Sequence, residues 1–139
     1  MPRRLMCAAV AAAVTIALAG CGSAPKSAAA DGLDARTVTL GELEVKITPT
    51  RVDATGATFD IAFDTHTGAP DIDVAANTTL AVNGTTWTAA TWTGDGPGDD
   101  HHRAGTLRFT ATGPATGSAR LAIDGLAGPV EATWQLSAP

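Results

Sequence analysis

The 139-residue sequence predicts an all-β domain, an immunoglobulin-like antiparallel sandwich of about seven short strands. Three observations carry that expectation. Apolar residues recur at every second position, the signature of half-buried strands; Thr fills many of the intervening, outward sites; and Gly, Pro and Asn-Gly breaks punctuate the runs at sandwich-like intervals. From Val38 the first run places Leu43, Val45 and Ile47 on one face, and the second places Phe59, Ile61 and Phe63 there. Leu80 to Val82 and Thr85 to Ala90 flank Asn83-Gly84, a pair suited to a type I′ hairpin because both residues accept positive φ. Leu107, Phe109 and Ala111 alternate in the next run, then Arg120 to Ile123, then Val130 to Leu136 with Val130, Ala132, Trp134 and Leu136 on one face. Thr55-Gly56, Thr67-Gly68-Ala69-Pro70, Gly113-Pro114 and Gly128-Pro129 break the runs. No helix longer than a turn is expected. Trp134 belongs with the core by its alternation, whereas Trp92, beside a glycine-rich loop, fits either core or surface platform.

Ahead of this domain the chain changes character. Arg3 and Arg4, an apolar run from Leu5 to Leu18 and a small-residue stretch follow the order of a secretory signal. The run is shorter than the roughly 20 residues that a membrane span needs. Leu18-Ala19-Gly20-Cys21 resembles the lipobox of bacterial lipoproteins. That resemblance implies cleavage before Cys21, diacylglyceryl on its thiol, and residence at the outer face of the cell membrane. The expected organisation is a signal peptide over 1–20, a lipidated flexible tether over 21–35 rich in Ala, Ser and Gly, and the β domain over 36–139.

Charge and cysteine content then exclude whole classes of function. Without Arg3 and Arg4 the chain keeps seven Lys and Arg against fourteen Asp and Glu, and the basic residues stand singly. Nucleic acid binding, which needs clustered cations against phosphate, is therefore not expected; a cation or a basic envelope partner is. Cys7 lies in the signal and Cys21 is assigned to lipid, so no thiol is left for a disulfide, zinc ligation or nucleophilic chemistry. Ser118 and Ser137 lack a nucleophile-elbow context, and no glycine-rich phosphate loop precedes a helix.

One stretch departs from generic sandwich sequence. Gly94-Asp-Gly-Pro-Gly-Asp-Asp-His-His-Arg103 is a long loop opening into a strand, and Asp64-Thr65-His66 ends the Phe59 to Phe63 strand. All three histidines of the chain fall in these two places. Strand alternation puts Asp64 and His66 on the face opposite the aromatic residues. His66 with His101, His102 and Asp64 forms a candidate set for a divalent metal ion. The competing expectation is a polar loop in which Asp64, Asp99 or Asp100 pairs with Arg103, all of them binding-loop candidates. The two motifs, Asp-Thr-His and His-His-Arg-x-Gly-x-Leu-x-Phe, resemble those of a family of small exported β-sandwich proteins of bacteria and archaea. This resemblance spans roughly residues 40 to 136 and implies that the motifs meet in space; it implies no activity. Asp99 and Asp100 depart from the pattern, which has glycines there.

Three functional readings compete: a tethered binding module presenting the 64–73 and 94–105 loops, a metal-activated hydrolase, and a purely structural envelope protein. The first is preferred, because loops on a rigid sandwich are the usual place for binding sites and a small sandwich with short loops seldom forms a catalytic pocket. No enzymatic activity is expected, and a divalent metal at the histidines is the alternative form of the binding module.

Overall fold

The computed structural model describes residues 33–96 and 101–137. Asp99 and Asp100, the signal, Cys21 and most of the tether lie outside the described residues. Eight strands follow in order: β1 (Arg36–Leu40), β2 (Leu43–Asp53), β3 (Gly56–Asp64), β4 (Thr78–Val82), β5 (Thr85–Gly94), β6 (His102–Thr110), β7 (Gly117–Ile123) and β8 (Val130–Leu136). All described pairings are antiparallel, in the spatial order β1-β2-β3-β6-β5-β4-β7-β8. The all-β expectation holds; the count of about seven strands and the two separate sheets do not.

The extra strand comes from a turn hidden within the alternating pattern. Val38, Leu40 and Leu43 read as one continuous run, but Gly41 takes φ +61° and, with Glu42, folds the chain back so that Leu40 faces Leu43 across a hairpin. Only a residue with little steric cost at positive φ does this readily, and glycine is that residue.

A single sheet replaces the sandwich because β5 serves both halves. Its first residues, Thr85 to Trp87, pair with β4, and its later ones, Thr88 to Gly94, pair with β6, with a register shift between Thr88 and Thr91. A bulge increases local twist and lets a strand turn a corner. The two halves then face each other. Phe59 of β3 meets Trp134 of β8 with ring centroids 5.5 Å apart, and Phe59 meets Phe109 edge-on at 6.2 Å. The interior they share is built from Val45, Ile47, Phe59, Ile61, Phe63, Leu80, Trp87, Leu107, Leu121, Ile123, Val130 and Trp134. These are the alternating positions of the sequence pattern.

The outermost strands, β1 and β8, come side by side and nearly close a barrel. No ladder joins them among the described residues. The seam is instead held by Trp134 Nε1, which donates to the carbonyl of Asp34 at 2.7 Å, and by Leu40, whose side chain packs over Gly128. At the far end of the barrel Asn83 (φ 48°) and Gly84 (φ 79°) form the expected positive-φ hairpin.

Candidate functional site

The site lies where β3 ends and β6 begins. Register across four strands sets Thr39 of β1 beside Glu44 of β2, Glu44 beside Asp64 of β3, and Asp64 beside His102 of β6. All four are exposed, so they form a transverse row on the outer face. Like charges directly opposite each other on neighbouring strands repel, and Glu44 stands opposite Asp64. On its other side Asp64 has a compensating partner: its Oδ1 is 2.5 Å from Nδ1 of His102. The hydrogen bond accepted by Asp64, then its negative charge, raise the His102 imidazole above its ordinary pKa, against desolvation and with a lesser contribution from the charge of Asp95.

Pairing continues one step past the strand ends, because the Thr65 amide donates to the His101 carbonyl at 2.8 Å. The two sequence motifs therefore meet, at the Asp64 and His102 pair and again at Thr65 and His101. Thr65 is buried, and its hydroxyl accepts the Thr67 amide at 3.2 Å. His66 emerges from this tight turn into solvent. Glu42, Glu44, Asp64, His66, His101 and His102 all line one open depression of about 650 Å³.

Beneath the depression Arg103 does something the sequence reading did not anticipate. It was expected to pair with Asp64, Asp99 or Asp100 in a surface loop. Asp64 pairs with His102 instead, and Arg103, on the inward face of β6, is only 3% exposed. Its guanidinium donates to three backbone carbonyls: Asp95 at 3.1 Å through Nε, and Pro70 and Ile72, each at 2.9 Å, through one terminal nitrogen. It also lies 5.6 Å from the ring centroid of Trp92, within range of a cation–π attraction. Arg103 thus ties the loop after β3 to the loop before β6, and its side chain is absent from the outer face. Trp92 is half-buried and serves this tie, donating Nε1–H to the Asp95 carbonyl at 3.1 Å.

The remaining motif positions also have structural roles. A Cβ on Gly105 would stand 2.6 Å from the Trp92 ring and 2.8 Å from Thr93 O, so the absence of a side chain there is what seats the indole. Leu107 and Phe109 point into the core. Asp73 closes the turn ahead of β4, its carboxylate accepting the Ala76 amide and its carbonyl the Asn77 amide, each at 3.0 Å. Among the described residues, the parts of the two motifs with no such role are the His66 and His101 rings and the outer nitrogen of His102.

Glu42 and Glu44 were not singled out from the sequence. Their place beside Asp64 follows from the Gly41–Glu42 hairpin, and recognising that turn is the signal that would have found them. Among the described residues no group of three or more His, Cys, Asp or Glu converges on a point that could hold a metal ion. Comparison with protein-family models, with curated proteins and with solved structures finds no match.

Proposed function

We propose that this chain is a lipoprotein, anchored through Cys21 at the outer face of the cell membrane, whose β domain is a non-enzymatic interaction module for an envelope partner or a cation. The supporting observation is the division of labour within the two motifs. Asp64, Thr65, Arg103 and Gly105 brace one end of the barrel, Leu107 and Phe109 carry β6 on into the core, and the imidazoles at the braced end stand exposed around an open depression. A rigid, well-braced end carrying solvent-facing polar groups is the arrangement in which loops present a binding surface.

The direction of β1 suits that role. β1 runs from its Ile47-paired end at Arg36 to the Gly41–Glu42 turn, which lies beside the depression. The described chain therefore enters β1 at the end remote from the depression.

Site-specific photo-crosslinking in intact cells tests the assignment. A photoreactive residue at position 66 is expected to give a discrete cross-linked species. The same residue at position 83, on the hairpin at the other end of the barrel, is expected to give none. Equal labelling from both positions, or labelling from position 83 alone, overturns the assignment of this end as the interaction surface.

A further inference from the structure

We propose that the mouth of the barrel beside the depression binds a basic polypeptide segment, seating one aliphatic side chain of that segment in an apolar cleft while its lysines or arginines face Glu42 and Asp71. This deepens the reading of this end as the interaction surface and rests on it.

The cleft lies where three connections meet: the β1–β2 hairpin, the loop after β3 and the loop between β7 and β8. Leu40 and Leu43 from the first, Ile72 from the second and Leu126 from the third line a cavity of about 380 Å³. All four are half-buried and pack against the core, so each keeps apolar surface in water. Scattered singly, such groups are ordinary, whereas a gathered set within a polar rim is the form of an interaction site. Covering it is favourable in proportion to the apolar area removed from water.

The motif residues hold the cleft in shape. Arg103 donates to the Pro70 and Ile72 carbonyls, each at 2.9 Å, and this fixes the stretch of chain that carries Ile72. Earlier in the same loop the Thr65 hydroxyl accepts the Thr67 amide and shares a hydrogen bond with the Thr67 hydroxyl, both at 3.2 Å. Leu40 lies where Gly128 leaves room, since a Cβ there would stand 3.3 Å from its side chain. A cleft formed in advance loses less to ordering when it is filled.

Charge selects the occupant. Glu42 and Asp71 line the cleft and are exposed, and among the described residues neither joins an ion pair. The cleft shares Glu42 and Thr65 with the depression, where Glu44 and Asp64 continue the acidic surface. Arg103, whose charge would offset these carboxylates at the surface, is buried among carbonyls. An apolar cleft extended by carboxylates complements a segment that interleaves aliphatic and cationic side chains. An extended polypeptide presents a side chain to one face about every 7 Å, so it runs from the cleft into the depression, a span that a single small amine does not cover. A second copy of this chain, with fourteen acidic against nine basic residues, would bring like charge to the same end.

The test is fluorescence anisotropy of a labelled, end-blocked peptide, Lys-Ser-Lys-Leu-Lys-Ser-Lys, titrated with the full chain in a non-ionic detergent at physiological ionic strength. Saturable binding of one peptide per chain is expected. Serine in place of the peptide's leucine, and Leu126→Asp in the protein, are each expected to weaken it at least about tenfold, as loss of an anchoring side chain does. Glu42→Lys/Asp71→Lys is expected to weaken it by a similar factor and to flatten its salt dependence. Asp60→Lys makes the same kind of reversal on the outer face of β3, outside the cleft, and is expected to change binding less than about twofold, because salt screens charges beyond about 8 Å. Circular dichroism of each variant establishes that it is folded. Absence of saturable binding, equal binding of the leucine-free peptide or of one with glutamate for every lysine, or binding unchanged by Leu126→Asp overturns the proposal. A partner that still cross-links at position 66 while these peptides fail removes only this proposal and leaves the interaction surface standing.

Discussion

Two charged side chains on β6, adjacent in sequence, show how one strand separates an adjustable surface from a fixed interior. His102 points outward to Asp64, and Arg103 points inward to three carbonyls. For His102 the pKa is raised in the folded protein, so its contribution to stability is fully present below the ordinary imidazole value and is lost as pH rises through the raised folded value. The difference in denaturant midpoint between the wild type and His102→Ala is therefore expected to be larger at about pH 5 than at about pH 9, both well to either side of the imidazole range. An equal difference at both would show that the pair does not respond to protonation. By NMR titration, Asp64→Asn is expected to return His102 toward the ordinary range. Arg103 behaves differently, because its guanidinium stays charged throughout and its planar donors match fixed acceptors. Arg103→Ala leaves the Asp95, Pro70 and Ile72 carbonyls without this partner and is expected to cost about 2–3 kcal/mol. Lysine should recover only part of that, as one ammonium cannot reproduce the fork. Chemical denaturation of the three proteins measures it; full recovery by lysine would mean that charge alone matters.

At the scale of elements, what was legible in the sequence was whatever depends on local pattern. The alternation of Phe59, Ile61 and Phe63, and of Val130, Ala132 and Trp134, points the same residues inward in the fold, because a period of two leaves a strand little choice of face. Asn83-Gly84 forms its turn for an equally local reason. Gly41-Glu42 was not legible, because glycine within an alternating run looks like a weak strand position as much as a turn, and the missed hairpin hid Glu42 and Glu44 from the candidate site. The sheet order was not legible either. It depends on β5 dividing its edges between β4 and β6, and the shift between Thr88 and Thr91 that allows this has no dipeptide signature. Arg103 was misplaced on the same account: charge suggests surface, and only the packing of Trp92 over Gly105 shows that the guanidinium has an indole and three carbonyls to receive it. Gly105→Ala tests that packing. A methyl 2.6 Å from the Trp92 ring must displace the indole or spread β5 from β6, and overpacking of this kind costs typically about 1–3 kcal/mol. A shifted Trp emission together with a lower denaturation midpoint is expected, and a variant as stable as wild type with unchanged emission would contradict the close approach.

For the whole molecule, the proposed lipid anchor and the fold are expected to be separable, and that expectation is testable. The eight strands bury a continuous core, against which Leu33 also packs, and the Asp34 carbonyl under Trp134 contributes to the seam. No helix of the described residues is long and apolar enough to cross a membrane. Under the proposed anchorage, membrane association then rests on the lipid of Cys21. Each buried CH₂ contributes about 0.8 kcal/mol, so one acyl chain binds marginally and the two or three implied by the lipobox resemblance bind stably. An acidic domain gains nothing from an anionic lipid surface to compensate for their loss. Cys21→Ala is therefore expected to move the chain from the membrane fraction to the soluble one at low and high salt alike, while its far-ultraviolet circular dichroism and denaturation midpoint stay those of the wild-type domain. A variant that still sediments with membranes would place the anchor outside Cys21. One that is released only by high salt would point instead to an electrostatic attachment. Release with an unchanged midpoint would establish that the lipid determines where the domain resides and the barrel determines what it presents there.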